Sequence, residues 1–445
     1  MSQAFDARAQ QAELEARVRM AIEHAGQRGA DACEIGAGVQ QGMEITVRLD
    51  RVETLEMARD QGIGVTVYVG QRKGSASTSD ASESALRDAV DRACEIARYT
   101  GEDPAAGLAE AELMARELPD LGLHHPWPLS TDEAVELARR CERAGRVVSG
   151  IDSSDGATLS SSEGVTVYGN SHGFIGSQLG SQHSLSCIMI ARGEQGMQRD
   201  HDYTAERDPQ RLRDPESVGR QAAERAVARL DAGRPETGRM PVLFVPELAS
   251  GLIGSFLNAI AGGALYRNAS FLCDALGERL FPEWLSIGER PREPGAMASA
   301  AFDGDGVYTR DNDYIRDGRL KSYMLSTYSA RRLGMTTTGN AGGARNVRLT
   351  APLTPWQTLL ESMGNGVVVI ELMGQGVNAV TGDYSRGAAG FRVVDGQLAG
   401  PVEEFTIAGN LREMFAGLRA IGDDIDTRGS VHTGSWLIDE MVVAG

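Results

Sequence analysis

Long apolar runs, aromatic side chains and paired cysteines are what this 445-residue sequence has least of. No stretch comes near the roughly 18 apolar residues that a membrane-spanning helix needs, so no span is expected. Aromatics make up 5% of the residues, which disfavours the base-stacking platforms of single-strand nucleic-acid binders. The five cysteines, Cys33, Cys94, Cys141, Cys187 and Cys273, lie singly, with no CxxC pair. An odd, dispersed set reads as reduced core thiols, not as a disulfide framework. Basic charge is also in deficit. Lys and Arg number 44 against 62 Asp and Glu, a formal net charge of −18. Bulk binding to nucleic acid or to an anionic membrane would want a basic face, so neither is expected. The stretch "MSQAFDARAQQAELEARVRM" is charged and helical in pattern, without the apolar core of a signal peptide. The expected compartment is the cytoplasm.

What is present is ordinary for a globular chain: 41% hydrophobic and 24% charged residues, in a length that suits about two or three domains. Glycine stands out at 54 residues and recurs at turns between short alternating runs, a pattern of hairpins and bulges. Residues 9–29 have helical spacing. "CEIGAGVQ", "MEITVRLD", "VETLEMAR" and "IGVTVYVG" follow as short strands, and 82–99 as a helix capped by Asp80 or Ser82. After the break "HHPWPLS", a helix capped by Ser130 or Thr131 precedes a Ser- and Gly-rich β region, and 214–230 is again helical. "DAGRPETGRM" (231–240) is the linker candidate. Beyond it the pattern is mainly β, with type I′ hairpin signals at Asp317-Gly318 and Asp395-Gly396. The expected fold is α+β. Two N-terminal units with antiparallel sheets (1–123 and 124–233) precede a mainly β C-terminal domain (234–445).

Several motifs promise chemistry and fail on context. "GNSHG" (169–173) has the G-x-S-x-G form with Ser171 as nucleophile, but a second strand follows it where a nucleophile elbow needs a helix. It reads as a hairpin turn. None of the seven histidines has the i, i+4 spacing of H-E-x-x-H, and His172 and His183 share only a hairpin. The acidic run 302–318 breaks the calcium-loop pattern at Val307 and Tyr308, and reads as solvated turns. "TTTGNAGGARNVRL" (336–349) lacks the Gly-Lys-Ser/Thr of a P-loop. Its Asn340, Arg345 and Asn346 are either donors to a carboxylate or peptide backbone, or parts of a tight turn. "GQGVNA" breaks the dinucleotide fingerprint.

One segment has the placing of an active site without its residues. "VPELASGLIGSFLNAIAGGAL" (245–265) follows the buried-strand pattern "MPVLFV". Leu248, Leu252, Ile253, Phe256, Leu257 and Ile260 share one helical face. Pro246 suits a first turn, and Glu247 is favoured there by the helix dipole. Ser250, Gly251, Gly254 and Ser255 form a thin face suited to close packing by another element.

"TTTGNAGGARN", "GQGVNAVTGDYSRGAAGF", "EEFTIAGNL", "GNSHGF" and "ALYRNASFL" together resemble one family, in order from near residue 30 to the end. It is the PmbA/TldE branch of the TldD/PmbA proteins, also called modulators of DNA gyrase or U62-type peptidases. The resemblance implies a subunit of a heteromeric complex in the cytoplasm, paired with a TldD-like paralogue that carries zinc on H-E-x-x-x-H and a later cysteine. The implied substrates are unfolded or linear peptides. In this chain the resemblance sets Pro246 at the first histidine, Glu247 at the glutamate and Gly251 at the second, within a degenerate zinc helix over 246–261. No cysteine follows Cys273. No zinc or other cofactor is therefore expected in this chain, and zinc belongs to the partner, since catalytic sites use three protein ligands.

Glu247 then remains as the remnant of a general base or as a helix-start residue. Tyr266, Arg267, Asn340, Arg345 and Asn346 are the candidate substrate or interface residues. The alternatives are a non-proteolytic regulatory protein, a stand-alone hydrolase using Ser171 or Glu247, and, for the isolated chain, a homodimer.

Overall fold

The computed structural model describes residues 5–445. Its N-terminal part runs α1 (Ala7–Gln27), β1 (Ala32–Arg48), β2 (Arg51–Val69), β3 (Arg72–Thr78), α2 (Glu83–Tyr99), α3 (Thr131–Arg146), β4 (Ile151–Asn170), β5 (Ile175–Arg192), β6 (Met197–Glu206) and α4 (Pro215–Ala228). The six strands form a single antiparallel sheet in the order β3-β2-β1-β4-β5-β6. The first two sequence units are thus halves of one sheet, joined where β1 pairs with β4 from Glu34–Asn170 to Val47–Ala157.

Alternation drives this arrangement. Cys33, Ile35, Ala37 and Val39, then Ile45 and Val47, point to one face of β1 and are buried. The first group packs under α1 and α2, the second under α3 and α4. Ser82 caps α2 by accepting from Ala85 N, and Ser130 with Glu133 forms a capping box at α3. The α3–α4 contact is close: a Cβ on Gly219 would sit 1.8 Å from the Cys141 carbonyl oxygen.

The expected short strands around residues 33–69 are instead two long ones. β1 and β2 turn at Leu49 and Asp50, both with positive φ (49° and 68°). Neither is glycine or asparagine. The cost is offset by the buried Glu142 of α3, whose two carboxylate oxygens accept the N–H groups of Leu49 (2.7 Å) and Asp50 (2.9 Å).

The C-terminal part contains β7 (Gly238–Phe244), α5 (Pro246–Ala259), α6 (Gly262–Leu265), β8 (Ser286–Glu289), β9 (Asn312–Arg316), β10 (Arg319–Leu320), α7 (Thr327–Arg332), β11 (Val347–Thr350), β12 (Leu353–Thr354) and α8 (Trp356–Met363). It continues with β13 (Gly366–Met373), β14 (Asp383–Val394), β15 (Gln397–Asn410), α9 (Leu411–Ala416), β16 (Leu418–Gly422), β17 (Val431–His432) and β18 (Trp436–Ala444). Strands β18, β15, β14, β13 and β7 follow one another, and β7 pairs back onto β18, so the five close into a ring. Both Asp-Gly hairpins form with the left-handed backbone of a type I′ turn: Asp317 and Gly318 at φ 50° and 73°, Asp395 and Gly396 at 49° and 74°. β8, β9, β10, β11 and β17 make a separate small sheet.

The acidic run is not simply solvated: Asp303 is buried and accepts N–H bonds from Asp305, Val307 and Ala341, while burial pushes its carboxyl up to about 6. All five cysteines are free thiols. Among the described residues no helix is long and apolar enough to cross a membrane.

Candidate functional site

Strand β7 is held between β13 and β18, and its last paired residue, Phe244, fixes where α5 begins. Pro246 takes the first helical position. Leu252, Ile253, Phe256, Leu257 and Ile260 are buried, and Leu248 packs partly against the same core. Phe256 meets Phe281 edge-on at 5.5 Å and Phe415 at 6.1 Å. The opposite, small-residue face stays open: a Cβ on Gly251 or Gly254 would meet nothing within 4 Å. Among the described residues nothing packs closely on Gly251 or Gly254.

Glu247 points from the first turn of α5 into a charged cluster. Its Oε1 accepts from Arg428 Nη2 at 2.7 Å and from Arg225 Nη2 of α4 at 3.1 Å. Arg428 also donates to Asp426 at 2.8 and 2.9 Å and to Asp202 of β6 at 3.2 Å, and its guanidinium lies 4.3 Å from the Tyr203 ring centroid. Asp202 is almost fully buried and pairs on its other oxygen with Arg213 at 2.8 Å. Burial pushes the Glu247 carboxyl up, but its own backbone N–H and the two arginines outweigh this and hold it below the ordinary glutamate range. Asp426 is depressed in the same way, with Arg428 overcoming its burial. The cluster ties the central region to the C-terminal region through two guanidinium groups, Arg428 on Asp202 and Arg225 on Glu247.

A groove of about 560 Å³ opens beside Glu247, lined by Asp200, His201, Arg225, Ile370, Leu372 and Phe391 among others. β13 outruns β7 here. Their ladder ends at Val369–Phe244, and among the described residues no strand pairs with that edge over Ile370–Met373.

A zinc ion does not fit these residues. A catalytic zinc site needs three protein donors and an open position. Pro246 and Gly251 offer no side-chain donor, and Glu247 is already engaged by two guanidinium groups. Among the described residues no group of three or more His, Cys, Asp or Glu is arranged to hold a metal.

The other candidate residues lie elsewhere. Ser171 sits in the β4–β5 turn, where its Oγ accepts from Cys33 N, and His172 is bonded to the Ala109 carbonyl. His172 and His183 do not meet, since His183 lies opposite Ser161 and bonds it at 2.9 Å. Asn340 and Asn346 are buried and spend their amides inside the fold. Asn340 donates to Glu289 (2.8 Å) and Tyr314 (3.1 Å). Asn346 donates to Arg290 O and Ser299 Oγ and accepts from Ala298 N. Arg345 donates its backbone N–H to Glu289 at 2.7 Å. The loop is therefore a tight turn built around a buried carboxylate, and its asparagines are not surface donors. Tyr266 and Arg267 do face solvent in part, with Arg267 5.2 Å and Arg332 5.4 Å from the Tyr266 ring centroid.

Residues 33–97, 124–230 and 237–445 match, in order, domain 1, the central domain and the C-terminal domain of the PmbA/TldA metallopeptidases. The chain belongs to the PmbA/TldD family. It is 44% identical over 440 residues to the metalloprotease PmbA homolog of Haemophilus influenzae, covering 98% of this chain and 97% of that one. It is 44% identical over 438 residues to metalloprotease PmbA of Escherichia coli O157:H7, with the same coverage.

A Bacteroides thetaiotaomicron structure described as a modulator of DNA gyrase superposes with a TM-score of 0.92 at 25% identity, over 97% of this chain and 98% of that one. TldE from Thermococcus kodakarensis shares the fold at TM-score 0.82 and 21% identity, over 97% of this chain and all of that one. Against this PmbA/TldD background, the residues that sequence reading missed are Arg428, Asp426, Asp202, Tyr203 and Arg225. Arg428 reaches Glu247 across 181 positions and Asp202 across 226, and no local pattern announces such pairs.

Proposed function

We propose that this chain is the PmbA/TldE-like subunit of a heteromeric TldD–TldE-type metallopeptidase, without a zinc site of its own, acting on unfolded or linear peptides. The observation that carries the reading is the ion pairing of Glu247. A general base must be free to take a proton from a water, and this carboxylate is held ionised by Arg428 and Arg225. In the proposed complex a TldD-like paralogue supplies the zinc, which polarises the scissile carbonyl and activates water. This chain supplies part of the wall of the peptide-holding chamber. The groove beside Glu247, with the free edge of β13 along it, suits an extended peptide that adds to a sheet by main-chain hydrogen bonds.

The reading is tested by assaying cleavage of an unfolded protein by this chain alone, by the TldD-like paralogue alone and by the two together, with and without a chelator. Activity is expected only where the paralogue is present, and it is lost on chelation. Glu247→Gln in this chain should leave the complex active. Chelator-sensitive cleavage by this chain alone would overturn the reading.

A further inference from the structure

Tyr384, Arg386 and Ala388 alternate onto the face of β14 that packs toward the α5 core. Leu372, a wall residue of the groove beside Glu247, pairs with Ala388, so Arg386 is the next residue along that face. Gly376 lies against this end of β14. A Cβ there would sit 1.5 Å from the Ser385 carbonyl oxygen and 3.4 Å from Arg386 Cγ, so the glycine leaves room for the arginine stem. Tyr384 is 3% exposed, and its ring meets Phe244 edge-on at 6.5 Å. Its hydroxyl oxygen is buried and has no hydrogen-bond partner among the described residues. Nε of Arg386 is in the same condition. Two neighbouring polar groups left unpaired inside a fold are costly unless something from outside supplies the partner. Burial pushes the Tyr384 hydroxyl up to about 12 against the pull of Arg386, so it stays an O–H donor at neutral pH.

We propose that Tyr384 and Arg386 form a binding site for the carboxylate of a peptide. Both unpaired groups carry hydrogens to donate, so the partner they lack is an acceptor. A planar guanidinium matches a planar carboxylate by two parallel hydrogen bonds, and the tyrosine O–H adds a third. A phosphorylated ligand would want a cluster of arginines, whereas Arg386 is the one cation that acts on the Tyr384 hydroxyl. The two Nη groups of Arg386 also lack a protein partner, but they are not enclosed as Nε is, so a ligand can reach them from outside. Ile407, opposite Arg386 on β15, and Phe244 make the surroundings apolar, where such a contact is screened less than in water. The site rests on the peptide-binding reading above and deepens it by naming the group recognised. That carboxylate comes from a chain terminus or from an Asp or Glu side chain.

Fluorescence anisotropy on the full chain tests this with a short, labelled, apolar peptide in two forms, a free terminal acid and a terminal amide. The acid is expected to bind about tenfold more tightly. R386Q should erase that difference. Y384F should reduce it about threefold, while the melting temperature of the ligand-free protein holds or rises, because the hydroxyl has no partner inside the fold. An amidated peptide carrying one glutamate separates the sources. If it binds like the free acid and loses this in R386Q, the site accepts an acidic side chain. If it binds like the plain amide, the site reads a terminus. Equal binding of all three peptides, or a preference for the acid that survives R386Q, would overturn the proposal and leave the peptide reading standing. Failure of every peptide to bind would overturn both.

Discussion

Arg428 Nη2 lies 2.7 Å from Glu247 Oε1, and the same guanidinium reaches Asp426 and Asp202. Three carboxylates from three chain segments thus converge on one internal cation, at the helix start where the family resemblance places zinc ligands. Removing that cation leaves Asp426 without its partner, and leaves Glu247 and the buried Asp202 with only Arg225 and Arg213 respectively. Arg428→Ala is therefore expected to cost about 3 kcal/mol in a denaturant titration, the order found for breaking a buried ion pair. Arg428→Lys should recover part of this, since a single ammonium cannot reproduce the fork that serves three carboxylates.

The cluster sets a pH dependence. Glu247 and Asp426 are both held below their ordinary values of 4.5 and 3.8 in the folded chain. Their folded-state pKa values are depressed, so their stabilisation is complete above the unfolded values and is lost as pH falls through the folded ones. Acid unfolding of the wild type should therefore steepen below about pH 4.5. In Arg428→Gln that extra slope should shrink, which stability curves for the two proteins at matched pH would measure.

Glu142 should be a strong point of the N-terminal sheet. It is buried and bonded to two N–H groups of a turn whose residues, Leu49 and Asp50, carry unfavourable positive φ. Glu142→Ala leaves two amide donors without their carboxylate, and an expected loss is about 2–3 kcal/mol. Thermal unfolding checks the size. Hydrogen exchange at Leu49 and Asp50 checks the place, since their protection should fall before that of the sheet centre.

The α3–α4 contact depends on the missing side chain of Gly219. A methyl group there would sit 1.8 Å from the Cys141 carbonyl, a backbone atom that cannot swing aside. Gly219→Ala should destabilise the chain by about 3 kcal/mol or prevent folding. Gly254→Ala, on the open face of α5, should be neutral or slightly stabilising through helix propensity. Melting temperatures of the two variants compare them directly.

Local signals in the sequence were good guides where local chemistry decides the structure. Ser130 with Glu133 marks the start of α3, Asp317-Gly318 and Asp395-Gly396 make their hairpins, and the apolar face of α5 is the buried one. The β1–β2 turn stayed hidden because Leu49 and Asp50 are poor residues for it, and the group that rescues them lies 92 to 93 positions away. Closure of the C-terminal ring, through β7 on β18, is equally non-local. At the site, Glu247 was visible as a lone carboxylate at a helix start, but its partners come from α4 and from the segment before β17, and Arg428 in turn reaches Asp202 of β6. Asn340 and Asn346 look like surface donors by residue type alone. Only the fold shows their amides turned inward, on Glu289 in one case and on Arg290 and Ser299 in the other.

The most direct measurement is elemental analysis of zinc per chain on the purified protein, expressed without any TldD-like paralogue and without chelator. The account predicts far less than one zinc per chain, because Arg428 already serves as the cation for Glu247, Asp426 and Asp202. Near-stoichiometric zinc, lost together with peptide cleavage on chelation, would contradict it.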